Sequence, residues 1–531
     1  MNNFFYRVQA VLVIASLCLV TACVAPVAPT DTAPAADSSA DSDADSGSDN
    51  DAAMEVDYTA TYPITEDIEG PCSYAATDAK DYSGRTLNVI TFASESTPLH
   101  GASFAELTGA TINILYPPFD FGQELMGGTH DVMFYATYQI ADMYPLLEPV
   151  PAAYLDMAQM QDVTANYMDV ATLNGEVVQY PVDGDRHILK YRTDIMEDAD
   201  IQAAYKEATG NDLRVPQTWK EYGEQAAFFN GQEINGEEIF GSAEVTNPND
   251  FMFSAFISRV APYAKHPDVT GGFFFDLETM TPLVNTPGWV EGLTDFIAVM
   301  DSFPPGGDNF GLGDEIVSFA GGETVFSYSW DEAFITAMEE DSDIRNQVKM
   351  APVPGANRVW NRDTEQWDEF DEPNRAPYIA WGWAAAVAKT STNQEMAFDY
   401  LCFYTNPANQ VSDMLAHRNG VNTYRYSDMH ADIWIDGAGY DKDVAQSVID
   451  TYTFLEASQN RVFDLRIPGV QQYMTSLAMG AAKAMSGEAD PQTALDEVAA
   501  EWETITDAIG RDAQRTAYEN VVKLEDNVAS R

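Results

Sequence analysis

Three short apolar runs, each the length of a strand, dictate the architecture open to this chain. They occupy 87–92, 111–116 and 131–135, and all three are rich in β-branched and aromatic side chains. The stretch 104–109 separates the first from the second, and 121–126, before the third, has helical spacing. Strand, helix and strand in this rhythm predict a parallel sheet with crossover helices. Ligands of such sheets gather at the carboxyl ends of the strands, where Glu95 and the loop from Tyr135 to Tyr138 fall.

The pattern continues downstream. A turn and extended run at 173–181 leads through Asp183, Asp185, Arg186 and His187 into a strand-like segment, 188–192. Thr218 is an N-cap candidate with Glu221 three residues on, a capping box opening a helix that buries Tyr222, Ala226 and Phe229. Helical stretches are expected at 251–264 and 288–301, and strand-like runs at 323–330 and 348–355. The run 380–388 is apolar throughout, as a central or inter-domain strand would be. From 394 onwards the chain reads as mostly helical, including 477–485 and 494–509, and no internal repeat is present.

The N-terminus reads as export machinery. Arg7 precedes an apolar run, 8–20, too short to span a bilayer comfortably and suited to the core of a signal peptide. It ends at Val20-Thr21-Ala22-Cys23, a lipid-attachment box, so 1–22 is expected to be a lipoprotein signal peptide and Cys23 the lipidated residue. Residues 23–57 then form an acidic tether built almost wholly of Ala, Pro, Thr, Ser, Gly and Asp, unable to bury enough apolar area to order its backbone. Asp41, Asp43 and Asp45 alternate like a calcium loop, but Ser46 and Ala52 stand where that loop needs glycine and glutamate. The net charge of −57, from 84 acids against 27 bases, mostly covers the folded part. Such a surface repels nucleic acid and anionic membrane, and suits a saline or acidic exterior or a cationic ligand. Cys72 and Cys402 remain as a pair able to bridge outside the cell, or as buried thiols, since Cys402 lies in an apolar helix pattern.

No catalytic constellation emerges. The sequence has no metalloprotease His-Glu-x-x-His, nucleophile elbow, phosphate loop, dinucleotide fingerprint or paired-cysteine metal site. His100, His130, His187, His266, His417 and His430 are scattered without ligand spacing. Neither cofactor nor metal is expected. An extracellular glycan-processing enzyme working through two carboxylates is the rival class, but with 84 acids their abundance decides nothing.

Six segments carry a resemblance: 175–181 (GEVVQYP), 215–222 (VPQTWKEY), 381–383 (WGW), 420–427 (GVNTYRYS), 487–495 (GEADPQTAL) and 502–510 (WETITDAIG). In that order they resemble the extracellular solute-binding proteins of ABC importers, the carbohydrate-binding family 1 that includes maltose-binding protein. Thr423 departs from the proline usual there, which puts the loop carrying Arg425 in doubt. The resemblance implies an α/β, two-lobe periplasmic-binding-protein-like fold with crossing hinge strands and a helical C-terminal region. Lobe 1 would comprise 84–178 with 384–407, and lobe 2 would comprise 190–380 with 408–531. It implies a lipid-anchored, extracytoplasmic, monomeric receptor that hands a sugar, oligosaccharide or polyol to permease subunits served by a separate ATPase. Receptors for other small solutes such as polyamines are the alternative within the class.

Sugar sites combine planar hydrogen-bonding groups with aromatic platforms. Trp330, Trp381 and Trp383 at strand ends or crossings, with Asp183, Asp185, Arg186 and Asp331, supply both. By family analogy Glu95, Tyr135, Tyr138 and Arg425 join them from the surrounding loops. The same residues have structural readings: Trp381 and Trp383 as hinge core, Asp183, Asp185 and Arg186 as turn residues or an ion pair, and Arg425 as a bridge between lobes.

Overall fold

The computed structural model describes residues 70–92, 95–116, 129–379, 382–418 and 421–526. Cys23, the tether, the helical pattern at 121–126 and Trp381 lie outside them. Leu87, Val89 and Ile90 are fully buried and form β1 (Thr86–Ile90). β1 pairs in parallel with β2 (Thr111–Leu115) and β3 (Val132–Ala136). Helix α1 (Ser96–Thr108) makes the first crossover and ends at Gly109, whose φ of 72° lets its N–H reach back to Ala105 O at 2.9 Å. Helix α2 (Ala165–Ala171) precedes β4 (Tyr180–Pro181), the outer strand of this sheet.

The chain then builds a second sheet from β5 (Ile188–Arg192), β6 (Gln232–Ile234), β7 (Glu237–Glu244), β8 (Thr324–Ser329) and β9 (Val348–Pro352), in the order β9-β5-β8-β7-β6. Helices α3 (Trp219–Phe229), α4 (Met252–Ala264) and α5 (Pro287–Val299) share its core, where Trp219, Tyr222, Phe256, Trp289 and Phe326 are buried. Helix α6 (Leu312–Ala320) brings Glu315 to Lys190 of β5, a buried pair at 3.0 Å. A hairpin of β10 (Ala356–Asn361) and β11 (Gln366–Asn374) follows, then β12 (Tyr378–Ile379).

The return strand β13 (Trp383–Val387) completes the first sheet in the order β2-β1-β3-β13-β4. It sits between β3 and β4, as its unbroken apolar character requires, and runs antiparallel to both. Both sheets are therefore mixed rather than purely parallel. Antiparallel strands enter wherever the chain arrives from the other sheet. α7 (Gln394–Tyr404) packs on the first sheet and is followed by α8 (Pro407–Leu415), α9 (Lys442–Ala457), β14 (Val462–Phe463), α10 (Val470–Met485), α11 (Pro491–Ile509) and α12 (Arg511–Asp526). Two α/β lobes with crossing strands and a helical C-terminal region result, the fold class expected.

Cys72 and Cys402 form a disulfide with Cα atoms 5.1 Å apart, tying the first described residues to α7. At the expected capping box Thr218 Oγ1 accepts from the Glu221 N–H at 3.1 Å, and the Glu221 carboxylate turns back to the Gln217 N–H at 2.7 Å and the Thr218 N–H. No helix among the described residues is long and apolar enough to cross a membrane.

Candidate functional site

The segments that pass between the sheets pack against one another. Residues 182–187 link β4 to β5, Gly382 leads into β13, and 421–425 lie beside them between α8 and α9. The Val182 N–H donates to Trp383 O, and the Thr137 N–H to Gly382 O, both at 3.0 Å. Asp183 accepts from the Asn422 N–H at 2.8 Å. Glycine is needed at the centre of this junction. A Cβ on Gly184 would overlap the Thr423 carbonyl, and one on Gly382 would lie 2.8 Å from Asp183 O.

Arg186 is the hub. Its Nη1 donates to Gly184 O at 2.6 Å and to Thr423 O at 2.5 Å, and its Nη2 to Glu456 at 2.9 Å. The guanidinium lies over the rings of Tyr167 (4.8 Å) and Tyr452 (4.4 Å). The Arg186 N–H donates to Asp331 Oδ1 at 3.2 Å, while the Tyr452 hydroxyl donates to Asp331 Oδ2. Burial opposes the arginine's charge, but Tyr167, Glu456, Tyr452 and Asp331 outweigh it and hold it protonated. The structure thus brings Asp183, Asp185, Arg186 and Asp331 together, in a sealed network whose donors and acceptors serve the junction itself.

Burial, reinforced by neighbouring Asp331, pushes the Asp183 carboxyl up to about 7 against the Asn422 N–H. Burial, then Asp183 and Glu332, drive Asp185 well above the carboxylate range. Asp428 and Asp464, also buried, are raised to about 7. A carboxyl that binds its proton more tightly when folded stabilises the native state below its ordinary value of 3.8, and that contribution is lost as the pH climbs through about 7. The protein is therefore expected to melt at a higher temperature at pH 5 than at pH 8, with Asp183→Asn narrowing the gap. Equal melting temperatures at the two pH values would contradict this.

At the carboxyl end of β1 the arrangement is different. Phe92 and Trp383, both half-buried, stack with centroids 3.7 Å apart and planes at 25°. Glu95 is exposed at the start of α1, on the same edge of the sheet. Tyr138, just after β3, reaches α10 and α4: its hydroxyl donates to Gln471 at 2.8 Å and its ring meets Phe253 at 5.5 Å. Asp142 accepts the Gly469 N–H at 2.6 Å, capping α10 from outside. No group of three or more His, Cys, Asp or Glu among the described residues is placed to hold a metal ion.

Residues 101–417 match the family model described as bacterial extracellular solute-binding protein. The chain belongs to that family. Such a solute-binding protein works outside the cytoplasm. Solved structures with the same fold include maltose-bound MalE3 of T. maritima, at 18% identity and TM-score 0.61 over 80% of this chain and 100% of that one. A solute-binding protein of Agrobacterium radiobacter K84 in complex with ribitol gives 18% and 0.60 over 80% and 100%. One from Agrobacterium vitis S4 with bound D-mannitol gives 16% and 0.60 over 80% and 99%.

Other residues expected at the solute-binding protein's site are placed differently. Tyr135 is not on a loop. It is fully buried in β3, and its hydroxyl donates to Gln179. Arg425 is also fully buried, donating to Gln410, to Thr405 O at 2.6 Å and, far off in sequence, to Gln159 O at 3.3 Å. Trp330 is 2% exposed, edge-on to His187 at 4.6 Å. Trp381 lies outside the described residues. Sequence reasoning missed Phe92, although its place at the end of an apolar strand was a usable signal. It also missed Tyr167, Tyr452 and Glu456, for which no local signal exists.

Proposed function

We propose that this chain is the lipid-anchored, substrate-binding component of an ABC importer, capturing a sugar, oligosaccharide or polyol between its lobes. The observation that carries the reading is the half-buried Phe92–Trp383 stack at the strand ends where the crossing segments meet, with exposed Glu95 at the start of α1 on the same edge of the sheet. Aromatic faces and a carboxylate on one edge suit the C–H faces and hydroxyl edges of such a solute. The maltose, ribitol and D-mannitol bound by the similar structures point to the same class. Lobe 1 is taken as 84–178 with 384–407 and lobe 2 as 190–380 with 408–531. The Tyr138–Gln471 and Asp142–Gly469 contacts then join the two and favour a closed state. Cys23 and the tether 23–57 hold the monomer at the membrane, beside permease subunits served by a separate ATPase.

Calorimetric titration tests the site. For whichever of maltose, ribitol and D-mannitol binds, Trp383→Ala is expected to weaken binding by about tenfold or more, from a lost platform worth roughly 1–2 kcal/mol. Undiminished affinity in Trp383→Ala would remove the stack from the site. Trp330→Ala is a poorer probe, because a residue so buried reports loss of core. The net charge of −57 favours a cationic solute as the second reading.

A further inference from the structure

The crossing segment 182–187 carries more buried acid than its surroundings neutralise. Asp183 and Asp185 are both buried and both lean on Asn422, whose N–H donates to Asp183 at 2.8 Å and whose Nδ2 donates to Asp185 at 3.4 Å. The cations nearby are engaged elsewhere. Arg186 pairs with Glu456 of α9, and Lys190 of β5 with Glu315 of α6. Arg425, in the neighbouring segment, donates to Gln410, Thr405 O and Gln159 O. Among the described residues no cation pairs with Asp183 or Asp185. The other groups facing them add negative charge or none. Asp331 and Glu332 stand at the start of the short helix Glu332–Ala337, and Glu332 Oε2 is buried without a hydrogen-bond partner. Tyr167 and Tyr424 contribute hydroxyls, and burial and then Lys190 push His187 down to about 3, which leaves it uncharged. Two carboxylates this close in an interior without a cation cannot both be ionised, so the pair holds a proton. The Asp185 carboxyl donates to Asp183, as a shared proton requires.

That proton stays only while water is kept out. A cavity of about 10 Å³, room for about one water molecule, lies against the pair and is lined by Tyr167, Asp185, Arg186, Tyr378 and Glu456. Its walls come from α2, from β12, from α9 and from the crossing segment itself. With the lobes taken as above, α2 belongs to lobe 1 and β12 and α9 to lobe 2. A hinge rotation that parts them widens the cavity and admits water to Asp185, which favours the ionised form.

We propose that Asp183 and Asp185 form a proton latch on the hinge: closure of the lobes takes a proton from bulk water onto the pair, and opening returns it. The latch rests on the reading of this chain as a receptor that closes on its solute. A pair that binds its proton more tightly in the closed form favours closure at low pH, and loses that advantage as the pH climbs through about 7, to which burial raises Asp183. Solute is therefore captured more tightly in acid and released more readily in alkali.

Calorimetric titration of the full mature chain with maltose, ribitol and D-mannitol at pH 6, 7 and 8 tests this, with the pH 7 runs repeated in phosphate and imidazole, whose ionisation heats differ. None of the three solutes ionises in this range, so any proton moved belongs to the protein. For whichever solute binds, the expected results are uptake of about half a proton per solute at pH 7 and a Kd about tenfold tighter at pH 6 than at pH 8, as one group titrating near 7 dictates. Asp183→Asn with Asp185→Asn keeps the shape of the uncharged pair and should bind equally at all three pH values, without uptake. The parent chain alone decides the matter if that variant does not fold. Binding without proton uptake, or uptake undiminished in the double variant, would overturn the latch and leave the solute reading standing. Binding of none of the three at any pH would remove both.

Discussion

Gly184→Ala is expected to lower the unfolding free energy by roughly 3 kcal/mol and to weaken solute binding along with it. The new methyl would overlap the Thr423 carbonyl and come within 3.0 Å of Asn422 O. These are backbone atoms and cannot rotate away. Relief requires 182–187 and 421–425 to separate, which would break the Asn422–Asp183 bond and the Arg186 bond to Thr423 O. Both loss of stability and loss of a reproducible hinge follow from the same atom. Gly223→Ala, inside α3 with nothing within 4 Å of the new Cβ, is the control, and should be neutral or stabilise by about 0.5–1 kcal/mol. Melting curves of the two variants check the claim. A Gly184→Ala protein that melts with the parent would show that the crossing segments are not held by this close approach.

Arg259→Met is expected to be the most damaging change in the core of the second sheet, at about 3–5 kcal/mol. Arg259 is fully buried, with Nη2 2.6 Å from both Glu244 oxygens and the guanidinium 3.8 Å from the Trp219 ring centre. Burial already raises the Glu244 carboxyl, and Arg259 is the main force opposing that rise. Without the arginine, Glu244 must either stay charged in an apolar core or take up a proton. Replacing both partners, as Arg259→Met with Glu244→Leu, removes the fully buried stranded charge, leaving only the partly exposed Asp295 without its cation, and should restore much of the loss. Denaturant unfolding of the single and double variants measures the coupling. A double variant as unstable as the sum of its singles would contradict it.

Local periodicity made much of the fold legible. β1, β2 and β3 declare themselves by length and side-chain type, and α4, α5 and α11 by spacing within two or three residues of their ends. β13 was readable because a strand between two others is apolar on both faces. The site was less legible, because its partners come from far along the chain. Asp183, Asp185, Arg186 and Asp331 do meet, but the reason they are sealed is Tyr452 and Glu456 on α9, together with Tyr167 on α2. Nothing near Arg186 in sequence announces those neighbours. Cys72 and Cys402 pair across 330 residues for the same kind of reason, since only the assembled lobe sets their separation. Arg425 was expected on a loop, and what its sequence neighbours do not announce is that it fastens that loop both to α8 and to Gln159 O.

The most direct test of the central claim is a thermal-shift screen of the mature protein against sugars, polyols, amino acids and polyamines. A solute that binds only the folded state raises the melting temperature by mass action, by about 2.7 kcal/mol of added stability at a hundredfold excess over its Kd. The account predicts a rise with at least one sugar or polyol and none with spermidine. A rise with spermidine alone, or no rise with any sugar or polyol, would contradict it.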